Sequence, residues 1–147
     1  MEAVLNTHLR KIAFVRDLPE LLAIEKASFH QPWSAFKFIQ FMAQANHSGR
    51  IVEVDGEVVG FLMYEKHPER LHVAHVAVKP EYRGNGIGRQ MIRSLGDHAR
   101  SYVTLNVRKS NTEAQRLYHN LGFEVVRSLE HHYADGEDAF LMGYRGL

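Results

Sequence analysis

Residues 76–89 read VAVKPEYRGNGIGR, a strand-forming run that passes through a glycine-rich turn straight into a predicted helix. A turn of this kind points successive backbone N–H groups, together with the positive end of the helix dipole, at one place. The glycines at 84, 86 and 88 allow a bulky anion to approach closely, while Arg83 and Arg89 add positive charge on both sides. The segment therefore predicts a binding site for a phosphate or pyrophosphate.

Two other interpretations of this turn compete with a phosphate site. One is a tight strand-to-helix connection with no ligand, which the segment by itself leaves open. The other is a nicotinamide dinucleotide site, which needs Gly-x-Gly-x-x-Gly and an acidic residue at the end of the next strand. Position 89 is Arg, and the predicted strand 102–107 has no acidic residue at its end. These two differences exclude the nicotinamide interpretation.

Patterns along the rest of the chain predict the order β-α-α-β-β-β-α-β-α-β-β on one sheet, an α+β or mixed α/β domain over residues 1–147. Asp55-Gly56 is a typical hairpin turn, Asp17 and Ser34 are predicted helix caps, and Gly122 is predicted to close the last helix. The predicted strands are 9–15, 51–54, 58–64, 71–78, 102–107, 123–127 and 139–144. The predicted helices are one that follows Asp17, a second that His47-Ser48-Gly49 ends, and the segments 86–100 and 111–121.

Composition limits the class of protein. The 147 residues are 45% hydrophobic and 24% charged, which is typical of a globular domain, and the net charge of +1 gives no overall attraction to nucleic acid or acidic lipid. The absence of cysteine excludes disulfides and thiol nucleophiles and favours a reducing compartment. We expect a cytoplasmic protein, because the sequence shows neither a secretory signal pattern nor an apolar run of about 20 residues.

Ten histidines raise the question of a metal site. His131 and His132 are adjacent, so on a strand they would point to opposite faces and could not bind one ion together. The chain has no His-Glu-x-x-His pattern and no i, i+4 histidine pair beside a carboxylate. We predict no functional metal.

Two motifs resemble those of the GNAT superfamily of acetyltransferases. Residues 83–88, RGNGIG, match its Arg/Gln-x-x-Gly-x-Gly/Ala signature, and residues 111–123, NTEAQRLYHNLGF, match its second motif, Asn-x-x-Ala-x-x-Leu-Tyr-x-x-x-Gly-Phe. The resemblance extends over nearly the whole chain, including the order of elements. It implies a mixed central sheet of about seven strands flanked by about four helices, and acetyl-CoA as cosubstrate without a metal.

Two further stretches resemble the branch that acetylates protein N-termini, the RimI-like and Ard-like enzymes. Residues 29–34, FHQPWS, resemble a loop that lines the peptide entrance in that branch, and residues 133–142, YADGEDAFLM, resemble the end of its chain. Each stretch also has a purely structural interpretation, a helix break with a core aromatic and an ordinary hairpin turn at Asp135-Gly136. The resemblance implies these substrate-binding residues: Phe29, Pro32, Trp33, His75, Asn106 and Tyr133.

The resemblance also implies roles at the reacting centre. The backbone N–H of Val76 or Val78 would contact the acetyl carbonyl and the pantetheine arm, and Tyr118 would protonate the departing sulfur. The implied cofactor-binding residues are Val76, Ala77, Val78, Arg83, Gly84, Asn85, Gly86, Ile87, Gly88, Arg89, Asn111 and Tyr118.

The residue that commonly serves as general base in RimI-like enzymes is not matched by a base in this chain. RimI-like enzymes commonly have Glu on the strand before the second motif, where this chain has Asn106, and Asn cannot accept a proton at neutral pH. The remaining candidates are His72, His75 and Glu25, with water as an alternative proton acceptor to His72, and we predict Tyr118, His72 and Glu25 as the catalytic residues. Regular strand alternation predicts His72 and Ala74 on one face of the sheet and Val73 and His75 on the other.

The predicted reaction is transfer of acetyl to a primary amine, most simply the α-amine of a protein N-terminus such as that of a ribosomal protein. An α-amine of pKa about 8 is roughly 10% neutral at pH 7, whereas lysine is neutral to only about 0.04%, so loss of the Glu is better tolerated with an α-amine. The alternatives are a small amine (polyamine, amino sugar or amino acid) and an acyl-CoA sensor that lost catalysis. We expect a monomer or weak dimer that binds neither nucleic acid nor membrane.

Overall fold

The computed structural model describes residues 5–29, 31–97 and 102–144. It has the predicted order of strands and helices, with short 3-10 turns at Pro80–Tyr82 and Leu95–Asp97. The elements are β1 (Thr7–Lys11), α1 (Phe14–Ser28), α2 (Ala35–Met42), β2 (His47–Val54), β3 (Glu57–Lys66), β4 (Leu71–Val78), α3 (Ile87–Ser94), β5 (Val103–Arg108), α4 (Thr112–Asn120), β6 (Glu124–Leu129) and β7 (Ala139–Tyr144).

The seven strands form one mixed sheet in the order β1-β2-β3-β4-β5-β7-β6. Among the described residues, the neighbouring strands pair antiparallel except β4 and β5, which are parallel. A parallel pair needs a crossover, and here the crossover contains the glycine-rich turn and α3. The predicted fold class, a mixed sheet flanked by four helices, is confirmed.

The hairpin of β2 and β3 follows directly from its turn residues. Asp55 and Gly56 both have positive φ, 50° and 84°, as the tight turn between two right-twisted strands requires. The Ser34 cap is also confirmed, because its hydroxyl accepts a hydrogen bond from Lys37 N at 3.2 Å. Gly122 lies just beyond α4 with φ 106°, as predicted for a closing glycine.

The predicted start of the first helix is wrong. Phe14 and Val15 belong to α1 and not to the first strand, and Asp17 lies inside the helix and does not cap it. The Asp17 carboxylate reaches back one turn, where it accepts a hydrogen bond from Ala13 N at 2.7 Å and pairs with Arg10 at 2.8 Å. This buried carboxylate thus ties α1 to β1, and the satisfied N–H at Ala13 explains why the helix begins one turn early.

The predicted end of the second helix is also wrong, since His47-Ser48-Gly49 begins β2. A Cβ at Gly49 would lie 3.0 Å from Met63 Sδ, so this glycine marks close packing of two strands rather than a helix terminus. In the third predicted helix, regular α-helix ends at Ser94 and a 3-10 turn follows to Asp97. The rest of that prediction, to residue 100, lies outside the described residues.

Two hydrophobic clusters cover opposite faces of the sheet. On the α3–α4 face, residues of α3 such as Ile87 and Met91 join a core that includes Val73 and Leu105, and Tyr118 of α4 packs against it. The α1–α2 face is a second cluster, made by these residues: Leu21, Ile24, Phe38, Ile51, Val58, Phe61, Met63 and Ala77. Within the described ranges, no helix is both long and apolar enough to cross a bilayer.

Candidate active site

Strands β4 and β5 part in the middle of the sheet. Their paired residues run only from Leu71/Val103 to Val73/Leu105 within the described residues, whereas β4 stays paired with β3 as far as Val78. Lys79 N donates to Val59 O of β3 at 2.8 Å, and backbone groups alternate in direction along a strand. The N–H groups of Val76 and Val78 therefore point away from β3, into the gap between β4 and β5.

A register shift in β4 changes which side chains share a face. Met63 pairs with His75 but Tyr64 pairs with Val73, so Ala74 is an extra residue in the β4 strand. Val73 packs in the core of the α3–α4 face, while His75 packs against Trp33 and Phe61 on the α1–α2 face. His72 hydrogen-bonds Thr104, whose neighbours Val103 and Leu105 face α3 and α4. The prediction that His72 and His75 lie on opposite faces is therefore wrong, because the bulge adds one residue between them.

The glycine-rich turn forms a cradle of backbone donors at the end of the gap. Gly84 and Gly86 have φ 82° and 77°, in the left-handed region that glycine adopts without strain. The first hydrogen bond of α3 is Gln90 N to Gly86 O at 3.0 Å. The N–H groups of residues 87–89 thus precede the helical ladder and are free of it, as at any helix N-terminus.

Packing inside the protein does not explain why position 88 is glycine. Gly88 lies in α3 and does not have positive φ, and a Cβ built on it meets no atom within 4 Å. Cβ atoms at Gly84 and Gly86 would also point into open space. The missing side chains leave room directly over the helix N-terminus, so the residues present fit a pyrophosphate group.

The polar side chains of the cradle hold its shape. Arg83 Nε donates to Val78 O at 3.0 Å, and its Nη2 donates to Ser28 Oγ at 3.1 Å, which joins the turn to the end of α1. Asn85 Nδ2 donates to Tyr82 O at 3.0 Å. Arg89 is exposed in the first turn of α3. The carboxamide of Asn111, also a predicted cofactor ligand, caps α4 by accepting from Ala114 N at 3.0 Å.

Tyr118 lies on the α3–α4 face of the sheet. Its ring packs edge-on against Phe123 with centroids 5.9 Å apart. Burial raises the pKa of Tyr118 to about 12, and the neighbouring Tyr133 adds to the rise. The phenol therefore stays protonated over the whole physiological pH range and can act as a hydrogen-bond donor or an acid.

A buried carboxylate and a histidine form a pair on the other face. Glu25 is fully buried, and its Oε1 lies 2.6 Å from His75 Nε2. Its Oε2 accepts a hydrogen bond from Trp33 N at 2.8 Å, so both oxygens are used. Trp33 stacks on the His75 imidazole with centroids 4.4 Å apart and planes 5° from parallel, and Phe29 lies 4.9 Å away on the same imidazole. Pro32, in the same loop, is exposed.

His72 is held by different neighbours. Its Nδ1 lies 2.7 Å from Thr104 Oγ1 and 3.4 Å from Arg70 Nη1. Arg70 also donates to Thr104 Oγ1 at 2.9 Å. Burial, the largest effect, lowers the pKa of His72 below its usual value, so the imidazole is neutral at pH 7.

Asn106 stands where β4 and β5 separate. Its Nδ2 lies 3.3 Å from His132 Nε2, while its Oδ1 is buried and has no hydrogen-bond partner among the described residues. Nearby, the Arg108 guanidinium lies 4.0 Å over the Tyr133 ring and forms ion pairs of 2.8 Å with Asp135 and Glu137. Burial raises the pKa of Tyr133. An unpaired buried acceptor is costly, so Asn106 favours a ligand that brings a donor.

The gap thus lies between two groups of predicted site residues. Tyr118 and the glycine cradle are on the α3–α4 side, and His75, Glu25, Trp33 and Phe29 are on the α1–α2 side. Sequence reasoning missed Arg70, Thr104 and Arg108. Period-two alternation from Asn106 points to Thr104, but no local pattern indicates Arg70, whose contacts depend on the pairing of β4 with β5. The described residues contain no group of three or more metal-ligating side chains.

Comparison with known proteins gives the class of this chain. The profile of the Acetyltransferase (GNAT) family matches residues 18–123, so the chain belongs to the GNAT acetyltransferase family. An N-alpha-acetyltransferase of Sulfurisphaera tokodaii is 33% identical, with 88% of each chain covered. The N-alpha-acetyltransferase RimI of Mycobacterium tuberculosis is 32% identical, covering 76% of this chain and 74% of its own. The crystal structure of the ribosomal-protein-S18-alanine N-acetyltransferase from Escherichia coli superimposes with a TM-score of 0.83 at 26% identity, covering 95% and 93% of the two chains.

Proposed function

We propose that this protein transfers an acetyl group from acetyl-CoA to the α-amine of a protein N-terminus. The observation that carries the proposal is the gap between β4 and β5, which connects a phosphate cradle on one side to a histidine and an asparagine on the other. Relatives named N-alpha-acetyltransferase and RimI support the same acceptor class. A ribosomal protein is the proposed acceptor protein, by similarity to the Escherichia coli enzyme.

The cradle would hold the pyrophosphate of coenzyme A. The backbone N–H groups of Ile87, Gly88 and Arg89 supply donors at the positive end of α3, and Gly84 and Gly86 shape the turn. In the gap, the N–H groups of Val76 and Val78 would bind the pantetheine arm and the acyl carbonyl. A donor fixed in a sheet needs no reorganisation as negative charge develops on that oxygen, and so lowers the barrier.

The amine must lose a proton as it attacks, and we assign this proton to His75. Glu25 is fully buried with both oxygens engaged, so it acts through His75 and does not touch the substrate. In this role Glu25 is a positioning residue: it holds the imidazole in one tautomer, with Nε2–H donating to Oε1, and stabilises the imidazolium that forms. Nδ1 is then the nitrogen that accepts the proton. Asn106 would orient the amine by accepting from it.

The predicted base role of His72 has less support. Arg70 can only donate, and its Nη1 lies 3.4 Å from His72 Nδ1, so Nδ1 is the acceptor and Nε2 carries the proton. A guanidinium beside the ring also disfavours an imidazolium. The test is the pH profile of His72→Ala: a base role requires a much larger rate loss at pH 7 than at pH 9. An unchanged profile would remove His72 from the mechanism.

Tyr118 is the proposed acid for the leaving thiolate. Its pKa of about 12 exceeds that of a thiol, about 8.5, so full transfer of the proton to a departed thiolate would cost about 5 kcal/mol. The phenol therefore hydrogen-bonds the sulfur and transfers its proton as the carbon–sulfur bond breaks. The proton gained by His75 and the proton given by Tyr118 leave the protein's total charge unchanged over one turnover.

The cavity beside Asn106 bears on the small-amine alternative. Two arginines and one glutamate line it, and a polyamine would need the opposite balance of charge. The retained Tyr118 and the Glu25–His75 pair also favour a catalyst over an acyl-CoA sensor. The α-amine is the acceptor that makes the least demand on a base.

The deciding experiment is mass spectrometry of two peptides incubated with the protein and acetyl-CoA. One has a free Ala or Ser N-terminus and blocked lysines, and the other has a blocked N-terminus and one free lysine. We expect acetylation of the first alone. If neither is acetylated while coenzyme A binds normally, the acceptor is a small amine or the protein is a sensor, and the proposal is wrong.

A further inference from the structure

A cavity of about 460 Å³ opens on the face of the sheet that carries His72. Residues in or next to β4, β5 and the β6–β7 hairpin line it together with Glu65 of β3, and its size is in the range of small-ligand sites. Asn106 closes the end nearest the gap, Arg70 hydrogen-bonds Thr104 two residues earlier on β5, and Arg127 borders the cavity from β6, level with Asn106. The proposed mechanism uses Asn106 but leaves the rest of this cavity without a role.

The hydrogen bonds around His72 fix which atoms the cavity presents. Thr104 Oγ1 receives a hydrogen bond from Arg70, so its own O–H is available to donate to His72 Nδ1. The proton of the neutral imidazole then resides on Nε2. His72 is therefore a fixed donor at the cavity wall.

The charge of the cavity is positive. Arg70 and Arg127 contribute two cations, against the single carboxylate of Glu65. Glu65 hydrogen-bonds His67 at 3.0 Å, and its negative charge leaves these three charged side chains with a net charge of +1. Two guanidinium groups and an N–H donor are the set that binds a carboxylate.

The distance from Asn106 to His72 is within reach of an acceptor residue with a short acidic side chain. His72 pairs with Thr104, which lies two residues before Asn106 on β5. A rise of about 3.3 Å per residue and a strand spacing of about 4.8 Å therefore put the backbones of His72 and Asn106 about 8 Å apart. The side-chain carboxylate of Asp or Glu is four to five bonds of about 1.5 Å from its own α-amine, which spans about 4–6 Å. With a hydrogen bond of about 2.9 Å at each end, an amine bound at Asn106 Oδ1 would let such a carboxylate reach His72 Nε2 and Arg70.

We propose that this cavity is a subsite for an acidic side chain, Asp or Glu, on the first residue of the acceptor. The inference rests on the proposed N-terminal acetylation and names the class of N-terminus that the same site prefers. The buried acceptor on Asn106 receives the amine, His72 and Arg70 receive the carboxylate, and Arg127 adds positive charge from β6.

The experiment compares peptides that differ only in charge at the first residue, Asp against Asn, with Ala and Ser peptides as reference and all lysines blocked. We expect kcat/KM to be roughly 3- to 5-fold higher for Asp than for Asn at low salt, the upper part of the range for an exposed ion pair. Arg70→Gln should reduce this ratio to within about 2-fold, and Arg127→Gln should reduce it in the same direction. The matched control is Arg16→Gln, which removes a charge from the exposed start of α1 and should keep the full ratio.

Calorimetric binding of the same peptides in the presence of coenzyme A gives a second readout that needs no turnover. If Ala and Ser peptides are acetylated but Asp has no advantage over Asn, the subsite is wrong and the proposed function stands. If no peptide is acetylated but Asp still binds better than Asn, and Arg70→Gln removes the difference, the subsite stands and the proposed function fails. An Asp advantage that survives both arginine variants would overturn the subsite.

Discussion

The two faces of the sheet build their parts of the site in different ways. On the α3–α4 face the cradle consists of backbone N–H groups and glycines from one continuous stretch, residues 83–89, joined to the end of β4. On the α1–α2 face the site consists of side chains, and they come from α1, the α1–α2 loop, β4 and β5. Glu25 and His75, which are 50 residues apart, touch at 2.6 Å.

This difference separates what is common from what is particular in the enzyme. A backbone cradle recognises a phosphate group whatever the acyl acceptor, so its requirements can be met by a short local motif. The acceptor side must match one kind of amine, and side chains from several elements can be exchanged one at a time. Asn106 illustrates this exchange, since it stands where the sequence resemblance to RimI-like enzymes leads us to expect Glu, and in the proposed mechanism Glu25 and His75 provide another route for the proton.

The largest effect should come from Tyr118→Phe, which removes one oxygen from the α3–α4 face. We expect kcat to fall by roughly 100-fold or more, because an acid at the leaving group contributes 10²- to 10⁴-fold. The phenylalanine ring can still pack on Phe123, so the melting temperature and the KM for acetyl-CoA should stay at their wild-type values. In the wild type, a pKa of about 12 keeps the acid protonated, so steady-state kinetics should show no loss of kcat from Tyr118 up to pH 10. A fall of under 3-fold would show that Tyr118 only packs.

On the α1–α2 face, Glu25→Gln should lower kcat by roughly 10- to 100-fold with the acetyl-CoA KM unchanged. The neutral amide can still accept from Trp33 N but cannot stabilise an imidazolium at His75. The rate should therefore recover partly at higher pH, where more of the amine is already neutral. Glu20→Gln, on the exposed side of the same helix, is the control and should behave as wild type. A pH profile identical to that of the wild type would limit Glu25 to a structural role.

A smaller effect, confined to cofactor binding, should follow from Gly88→Val. No atom lies within 4 Å of a Cβ at this position, so the fold should tolerate the change and the melting temperature should shift little. The added side chain occupies the cradle, and we expect the KM for acetyl-CoA to rise by roughly 10-fold while the acceptor KM stays constant. Arg93→Val at the other end of α3 controls for a valine in that helix. Unchanged acetyl-CoA kinetics would place the pyrophosphate elsewhere.

The smallest effect should be one of stability, at the ion pair that fixes α1 to β1. The Arg10 guanidinium lowers the pKa of Asp17, and the Ala13 N–H adds to the shift. This carboxylate therefore stabilises the fold above the unfolded-state pKa of about 3.9, and the contribution disappears as the pH falls through the lower folded-state value. Asp17→Asn should cost about 1–3 kcal/mol in urea unfolding at pH 7. The difference from wild type should shrink below pH 4, and a constant difference would contradict the ion-pair account.

Much of the fold could be predicted from the sequence because its signals are local. The Asp55-Gly56 turn, the Ser34 cap and Gly122 each depend on a few neighbouring residues, and all three are confirmed. The errors fall where a distant contact overrides the local pattern. Asp17 was predicted as a cap, but its carboxylate serves Ala13 and Arg10, and Gly49 was predicted to end a helix but packs against Met63.

Some features of the candidate site could likewise be predicted from local sequence, and others depend on contacts between distant segments. The residues of the cradle, the place of Tyr118 and the family itself follow from the sequence alone, because a phosphate cradle needs specific residues at fixed spacing along one turn. The tertiary structure alone decided that His72 and His75 share a face, since a bulge at Ala74 cannot be read from regular alternation. It also decided that His75 is joined to Glu25 and that His72 is held as a donor by Arg70 and Thr104. These contacts bring together segments far apart in the chain, and only the packing of the folded sheet sets their distances.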